Sequence, residues 1–225
     1  MCGRFNVIDN PGMRELLSDL GIDLQLPSAI NLAPTEQVSL VRRNSSEVEL
    51  LSARWWLTPS WAKQVDQKYA MFNARSESLA QRAAFKKPFR SQRGIVPISS
   101  FIEWRTEQGV KQPYKVSNDD GAIAVAALWD VWEGGDTPLV SCTLVTTAAA
   151  PAFAPWHSRM PVMLAADEID CWLDNDSTVA SDAAIFRSEL KYDLVLAPLA
   201  KAVGNSRDKS PLLLEPVGEI ISLDC

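Results

Sequence analysis

The chain has 225 residues, a formal net charge of −6, and 47% hydrophobic and 22% charged residues, which is typical of one globular domain spanning residues 1–225. No run approaches the roughly 18 apolar residues of a membrane span, and no secretory signal is visible, so we expect a cytoplasmic protein without membrane contact. The four cysteines lack CxxC or Cys/His ligand spacing, which argues against a metal site and, in a reducing compartment, against disulfides.

The first 60 residues predict a helix followed by a hairpin. Asn10 and Pro11 begin the helix, which runs to about Asp19. Its apolar face carries Met13, Leu16, Leu17 and Leu20. The runs QVSLVRR and EVELLSARWWL predict two strands joined by a turn at residues 44–46.

The middle of the chain predicts a short helix and a long strand. Ser76 is a candidate N-cap for a helix over about Glu77 to Phe85. The stretch GIVPISSFIEW alternates as one strand. One face carries Val96, Ile98, Ile102 and Trp104, and the other carries Ser99, Phe101, Glu103 and Arg105. Glu103 is therefore predicted to point away from the more apolar face, either as a general acid or base or as a surface partner of Arg105.

The remaining elements complete a strand-rich pattern. The runs PYKV, AIAVAALWDVW and VSCTLVTT predict strands, and DEIDCWL predicts a short acidic helix. Many strands with few short helices indicate a mixed, mostly antiparallel α+β fold with curled sheets.

Basic residues are concentrated between Asn73 and Lys115, a segment that contains nine basic and three acidic residues. The basic residues are Arg75, Arg82, Lys86, Lys87, Arg90, Arg93, Arg105, Lys111 and Lys115. A local basic stripe can hold phosphates on an acidic protein, because fields act within a Debye length of about 8–10 Å. A solvated charged surface explains the same composition.

Three further residues have both a structural and a chemical interpretation. Cys2 follows Met1, so removal of Met1 gives Cys2 a free α-amine beside its thiol and makes it a candidate nucleophile. Alternatively, Cys2 is a small hydrophobic residue buried in the core. His157 is the one histidine and lies in the loop sequence APWHSRMP, where it is either structural or catalytic. Asn73 is either a turn or cap residue or a site residue.

Six motifs occur together in one order: MCGRF, INLAPT, FNARSES, FIEW, WHSRMP and AVGN. In this order the chain, from residue 2 to about residue 210, resembles the SOS-response-associated peptidase (SRAP) family, also described as abasic-site processing proteins. The resemblance implies the SRAP fold, a pseudo-barrel of curled sheets with peripheral helices.

The resemblance also implies an activity. The α-amine of Cys2 would attack the aldehyde of an abasic site in single-stranded DNA to form a Schiff base, and the thiol would then close a thiazolidine crosslink. An α-amine has a pKa near 7.7–8.0, so roughly a tenth of it is nucleophilic at neutral pH, and the thiol adds intramolecularly. Strand cleavage by lyase chemistry, reversal of the crosslink and self-removal of Met1 are related expectations. No cofactor is implied, and we expect a monomer that is nucleoid-associated when bound to DNA.

Roles for the matching residues follow from the resemblance. Asn73 would hold the reacting end, Glu103 would shuttle protons, and His157 would assist opening of the sugar ring. The expected DNA-contacting or site-shaping residues are Arg4, Asn31, Trp61, Arg75, Arg82, Arg159 and Asn205.

Two positions depart from the family pattern. Ala62 stands where some relatives carry a second Trp after the aromatic residue at Trp61, and Trp56 stands where relatives often have Gly. Stacking contributes about 1–3 kcal/mol per base, so loss of one aromatic surface would weaken or re-aim DNA binding. A cysteine amidase or peptidase and a noncovalent single-strand-binding module remain the alternative functions.

Overall fold

The computed structural model describes residues 2–44 and 47–225. Within these ranges the chain forms thirteen strands and three α-helices. The helices are α1 (Pro11–Asp19), α2 (Ala83–Ser91) and α3 (Ala166–Leu173). The strands are β1 (Phe5–Val7), β2 (Ala29–Leu32), β3 (Gln37–Asn44), β4 (Glu47–Trp55), β5 (Asn73–Arg75), β6 (Arg93–Ile98), β7 (Ser100–Glu107), β8 (Val110–Asn118), β9 (Ile123–Trp132), β10 (Leu139–Ala148), β11 (Arg159–Pro161), β12 (Leu194–Pro198) and β13 (Ile221–Leu223). None of the helices in the described ranges has the length and apolar character that a membrane crossing demands.

The strands form two sheets. The six-stranded sheet has the order β13-β12-β8-β7-β1-β2, with every pair antiparallel. The seven-stranded sheet has the order β11-β10-β4-β3-β6-β9, with β5 added beside β10 in parallel. Because β10 also pairs with β9, the pairings follow a ring-like path and the sheet curls into a pseudo-barrel. The predicted α+β, mostly antiparallel fold is confirmed.

The first helix matches its prediction because its start is determined locally. Asn10 is the N-cap, and its Oδ1 accepts a hydrogen bond from the backbone N of Met13 at 2.8 Å. Met13 and Leu17 are buried, as their spacing predicts. The predicted pairing of β3 with β4 is also confirmed, whereas Ser45 and Ser46 of the predicted turn lie outside the described residues.

The strand predicted over GIVPISSFIEW is wrong, because the chain passes from one sheet to the other at Ser99. β6 lies in the seven-stranded sheet and β7 in the six-stranded sheet. The Ser99 hydroxyl accepts a hydrogen bond from the backbone N of Ile8 at 2.7 Å and so anchors this crossing. On β7, Phe101 joins the main core and Ile102 a smaller cluster. Glu103 shares the Phe101 side of the strand and is only 3% exposed, so it faces the larger apolar core and is not on the surface.

The helix predicted over about Glu77 to Phe85 is also wrong. Residues Ser76–Ser78 form a single 3-10 turn, with Ser76 inside the turn and not at its N-cap. The α-helix α2 begins later, at Ala83, and its buried side chains are Phe85, Pro88 and Phe89. The remaining predicted strands and the acidic helix α3 are confirmed.

Candidate functional site

The N-terminal segment runs toward Glu103. β1 pairs antiparallel with β7, with Phe5 opposite Phe101, and the Arg4 carbonyl accepts a hydrogen bond from the backbone N of Ile102 at 2.9 Å. In an antiparallel register, residues that precede Phe5 lie beside residues that follow Phe101. Cys2, which is fully buried, therefore lies beside the part of β7 that contains Glu103.

Asn73 fixes Cys2 from the other sheet. It begins β5, which lies parallel to β10 with Asn73 opposite Leu144. Its Nδ2 donates a hydrogen bond of 2.8 Å to the Cys2 carbonyl oxygen. The buried Oδ1 of the same side chain has no hydrogen-bond partner within residues 2–44 and 47–225. Asn73 thus holds Cys2 with one half of its amide and offers an acceptor with the other half.

Burial shifts the pKa of two neighbouring groups in the site, the Glu103 carboxyl and the Cys2 thiol. Burial raises the pKa of the Glu103 carboxyl, and the nearby His157 partly opposes this rise. Burial also raises the pKa of the Cys2 thiol, and the charge of Glu103 raises it further. The Cys2 thiol is therefore neutral at pH 7, beside a carboxyl group whose proton affinity is increased.

His157 borders the site on a loop that ends at β11. Its Nδ1 lies 2.9 Å from the backbone N of Arg159 and, when it carries no proton, accepts that hydrogen bond. Next to it, Trp156 stacks on Phe153, and the guanidinium carbon of Arg105 lies 5.3 Å from the Trp156 ring centroid. Because β11 and β5 both pair with β10, this loop and Asn73 approach the site from one sheet.

The predicted DNA-contacting arginines have different environments. Arg75 and Arg82 are exposed. Arg4 donates from Nη1 to the Gly3 carbonyl at 3.0 Å. The Arg159 side chain is only 14% exposed and donates from Nη2 to the Glu77 carboxylate at 3.0 Å and to the Thr146 carbonyl at 2.6 Å. A phosphate that approaches Arg159 therefore meets a guanidinium already shared with Glu77.

Asn31 is an interior residue with a left-handed backbone (φ 53°). Its Nδ2 donates to the carbonyl oxygens of Val203, Asn205 and Asp208 at 2.9–3.1 Å. Asn205 itself is exposed, and the neighbouring Gly204 carbonyl accepts from Arg4 at 3.4 Å. The buried Asn31 side chain thus fastens the loop at residues 203–208 to β2.

Aromatic residues lie on the loop that leads to Asn73. Trp61 is exposed, whereas Trp56 is partly buried with its ring centroid 5.4 Å from that of Phe72. The structure adds two residues that the sequence analysis did not select: Tyr69, which is exposed beside Trp61, and Glu77, which pairs with Arg159. An aromatic residue within the polar run AKQVDQKY was the available signal for Tyr69.

Comparisons with known proteins place these features in a wider group. The family model described as "SOS response associated peptidase (SRAP)" matches residues 1–206. The chain is 31% identical over 227 residues to the abasic site processing protein YoqW of Bacillus subtilis, covering 96% of this chain and 99% of that protein. It is 33% identical to YoaM of the same organism (79% and 81% covered) and 30% identical to HMCES of Xenopus tropicalis (75% and 57% covered), both also named abasic site processing proteins.

Solved structures show the same fold. A Bacteroides thetaiotaomicron protein superposes with a TM-score of 0.77 at 17% identity, covering 96% of this chain and all of that chain. A phage-related protein from Bordetella bronchiseptica superposes with a TM-score of 0.69 at 22% identity, covering 89% and 95%.

Proposed function

The chain belongs to the SRAP family, and we propose that it processes abasic sites by trapping them in a covalent crosslink with Cys2. The relatives named above are abasic site processing proteins. The substrate proposed here is single-stranded DNA that carries the ring-opened aldehyde of an abasic site.

The proposed reaction has two bond-forming steps. Once Met1 is removed, the Cys2 α-amine adds to C1′ of the aldehyde, and the carbonyl oxygen leaves as water to give an iminium ion. The Cys2 thiol then adds to the same carbon and releases its proton, which closes a five-membered thiazolidine. Glu103 receives or returns the protons, because a carboxyl with a raised pKa exchanges protons more readily near neutral pH. His157 assists the ring opening of the sugar.

The observation that carries this proposal is the hydrogen bond from Asn73 to the Cys2 carbonyl. It fixes the residue that must supply both nucleophiles, and it does so in the same buried place as Glu103. Fixing two reacting groups replaces a bimolecular encounter by an intramolecular one. The raised pKa of the Cys2 thiol favours this reaction over a cysteine amidase, whose nucleophile is a thiolate.

Exposed basic residues would hold the strand. Arg75 directly follows the Asn73-Ala74 pair on β5, and Arg82 precedes α2 with its exposed Lys86 and Lys87. Contacts of this kind to phosphates are independent of base sequence and are weakened by salt. We assign Arg4 and Arg159 to the same strand-holding role, and Asn31 and Asn205 to shaping the loop beside it.

A denaturing gel tests the proposal. Protein whose intact mass shows loss of Met1 is incubated with single-stranded DNA carrying one abasic site, beside undamaged DNA. We expect a slow band that survives denaturation, depends on the abasic site and is absent with Cys2→Ala. Cys2→Ala and Cys2→Ser both retain the α-amine once Met1 is removed, so an adduct of either variant should need borohydride reduction of the Schiff base to survive. If correctly processed wild-type protein gives no such band, the proposed crosslinking function is refuted. Strand cleavage by β-elimination would appear as a shorter DNA product, whereas reversal of the crosslink would return the free full-length strand.

A further inference from the structure

The turn between β10 and β11 lies along one side of β7. Phe101, Glu103 and Arg105 alternate on that strand, so their side chains leave it on the same side, about 6.6 Å apart. The Phe101 ring centroid lies 6.0 Å from that of Phe153. The guanidinium carbon of Arg105 lies 5.3 Å from the ring centroid of Trp156. The two residues that flank Glu103 on this side of the strand therefore each contact an aromatic ring of the turn.

Hydrogen bonds make this turn compact and tie its aromatic rings to His157. The Phe153 carbonyl accepts from the backbone N of Trp156 at 3.0 Å and from the backbone N of His157 at 3.4 Å. The rings of Phe153 and Trp156 are stacked, with centroids 6.5 Å apart and planes inclined by 23°. A shift of the Trp156 ring therefore displaces the imidazole of the next residue.

The two ends of the turn are held differently. Phe153 is fully buried in the main core, whereas Trp156 is only partly buried. The buried Nε1 of Trp156 has no hydrogen-bond partner within residues 2–44 and 47–225, so the indole is held through its ring faces and not through its N–H. Arg105, which is also partly buried, supplies a cation–π contact to that ring. Arg105 thus adds a contact at the less buried end of the turn.

This contact joins the two sheets beside the reacting groups. β7 belongs to the six-stranded sheet, and β10 and β11, which bound the turn, belong to the seven-stranded sheet. The charge of His157 lowers the pKa of Glu103, as expected for an imidazole close to that carboxyl. Loss of the contact between Arg105 and Trp156 would let the turn, and His157 with it, move away from Glu103.

We propose that Arg105 is a positioning residue, which holds the turn that carries His157 against β7 through its cation–π contact with Trp156. The inference rests on the proposed crosslinking function, in which His157 assists opening of the sugar ring beside Glu103. In this role Arg105 does not touch the reacting atoms. Its effect on the reaction passes through Trp156 and His157, which distinguishes it from an arginine that binds a DNA phosphate.

The position of the turn can be measured without DNA. His157 is the one histidine of the chain, so in protein without a histidine tag its imidazole C–H signals in proton–carbon NMR spectra need no assignment. Because the neighbouring indole adds a ring-current shift, we expect Arg105→Ala and Trp156→Leu to shift or broaden these signals. Arg42→Ala is the matched control, since the guanidinium carbon of Arg42 lies 4.6 Å from the Trp129 ring centroid in the seven-stranded sheet. It should leave the His157 signals unchanged.

Single-turnover crosslinking with saturating abasic DNA measures the consequence for the reaction. We expect Arg105→Ala to lower the rate constant about 3- to 30-fold, the range that corresponds to cation–π energies, and Trp156→Leu to lower it at least as much. The double variant should be no slower than Trp156→Leu, because both changes remove the same contact. Trp156→Phe retains an aromatic face and should recover most of the rate. The rate constant of Arg42→Ala, and the Kd of Arg105→Ala for undamaged single-stranded DNA, should remain within about twofold of wild type.

The outcomes separate this inference from the proposed function. Normal crosslinking by Arg105→Ala with unchanged His157 signals would overturn the inference alone. Weaker binding of undamaged DNA with an unchanged rate constant at saturation would also overturn it, because that result would make Arg105 a phosphate contact. Additive losses in the double variant would overturn it as well. If wild type forms no crosslink while Arg105→Ala still moves the His157 signals, the covalent function is refuted and the positioning of His157 by Arg105 stands.

Discussion

Asn73→Ala tests whether fixing Cys2 accelerates the proposed reaction. The substitution removes the 2.8 Å hydrogen bond to the Cys2 carbonyl and leaves that carbonyl unsatisfied in a buried position. Such a loss costs about 1–3 kcal/mol. If this energy serves to hold Cys2 in its reactive geometry, the crosslinking rate constant should fall roughly 5- to 150-fold. Single-turnover reactions with saturating abasic DNA, quenched and resolved on denaturing gels, give this rate constant.

The DNA affinity and a matched variant complete that test. Kd for undamaged single-stranded DNA should stay within about twofold, because the contact removed is internal to the protein. Asn118→Ala is the control, since Asn118 is also buried and its Nδ2 donates to the Ala122 carbonyl at 2.8 Å on another part of the six-stranded sheet. It should lower the melting temperature without slowing the reaction. A normal rate constant in Asn73→Ala, or an equal loss in Asn118→Ala, would refute the assigned role.

Two further predictions concern charge. Burial raises the pKa of Glu103, so the protonated carboxyl contributes stability below its unfolded pKa of about 4.3, and this contribution is lost as pH rises toward the raised folded value. Glu103→Gln should therefore gain in melting temperature relative to wild type as pH rises above about 4.3, while losing crosslinking activity. A relative loss of melting temperature with rising pH would contradict the assigned burial effect. Glu77→Gln should free the Arg159 guanidinium for a phosphate, tightening single-stranded DNA binding at low salt and steepening the slope of log K against log salt by about 0.7. Glu49→Gln, which breaks an ion pair elsewhere and changes the net charge equally, should leave that slope unchanged, so equal slopes in the two variants would argue against a phosphate contact at Arg159.

Local signals in the sequence are sufficient to predict those helices and strands whose ends are determined by neighbouring residues. Asn10 caps α1 through its own side chain, and the spacing of Met13 and Leu17 defines the buried face of that helix. The direction of Glu103 was mispredicted because β6 and β7 have similar apolar alternation while belonging to different sheets. Alternation shows which residues share a face, but it does not show which sheet or core that face meets.

Assembly of the site depends on long-range pairing, which residue spacing does not reveal. Cys2, Asn73, Glu103 and His157 come from four distant stretches, and the pairings of β1 with β7 and of β5 and β11 with β10 bring their segments together. The family resemblance grouped these residues without showing their contacts. It also did not reveal that the guanidinium of Arg159 is shared with Glu77, since that pairing appears only when β5 and β11 flank the same strand.

Burial of Cys2 has two opposing consequences for the proposed reaction. It keeps the thiol protonated, which disfavours direct attack by sulfur and leaves the α-amine as the first nucleophile. It also keeps bulk water away from the iminium carbon, which favours addition of the intramolecular thiol over hydrolysis of the iminium ion. The second step needs a nearby acceptor for the thiol proton, and Glu103 is the charged group that most directly raises the pKa of Cys2. A buried nucleophile beside a buried carboxyl thus suits formation of a long-lived adduct better than rapid turnover, because the same exclusion of water that promotes ring closure slows release.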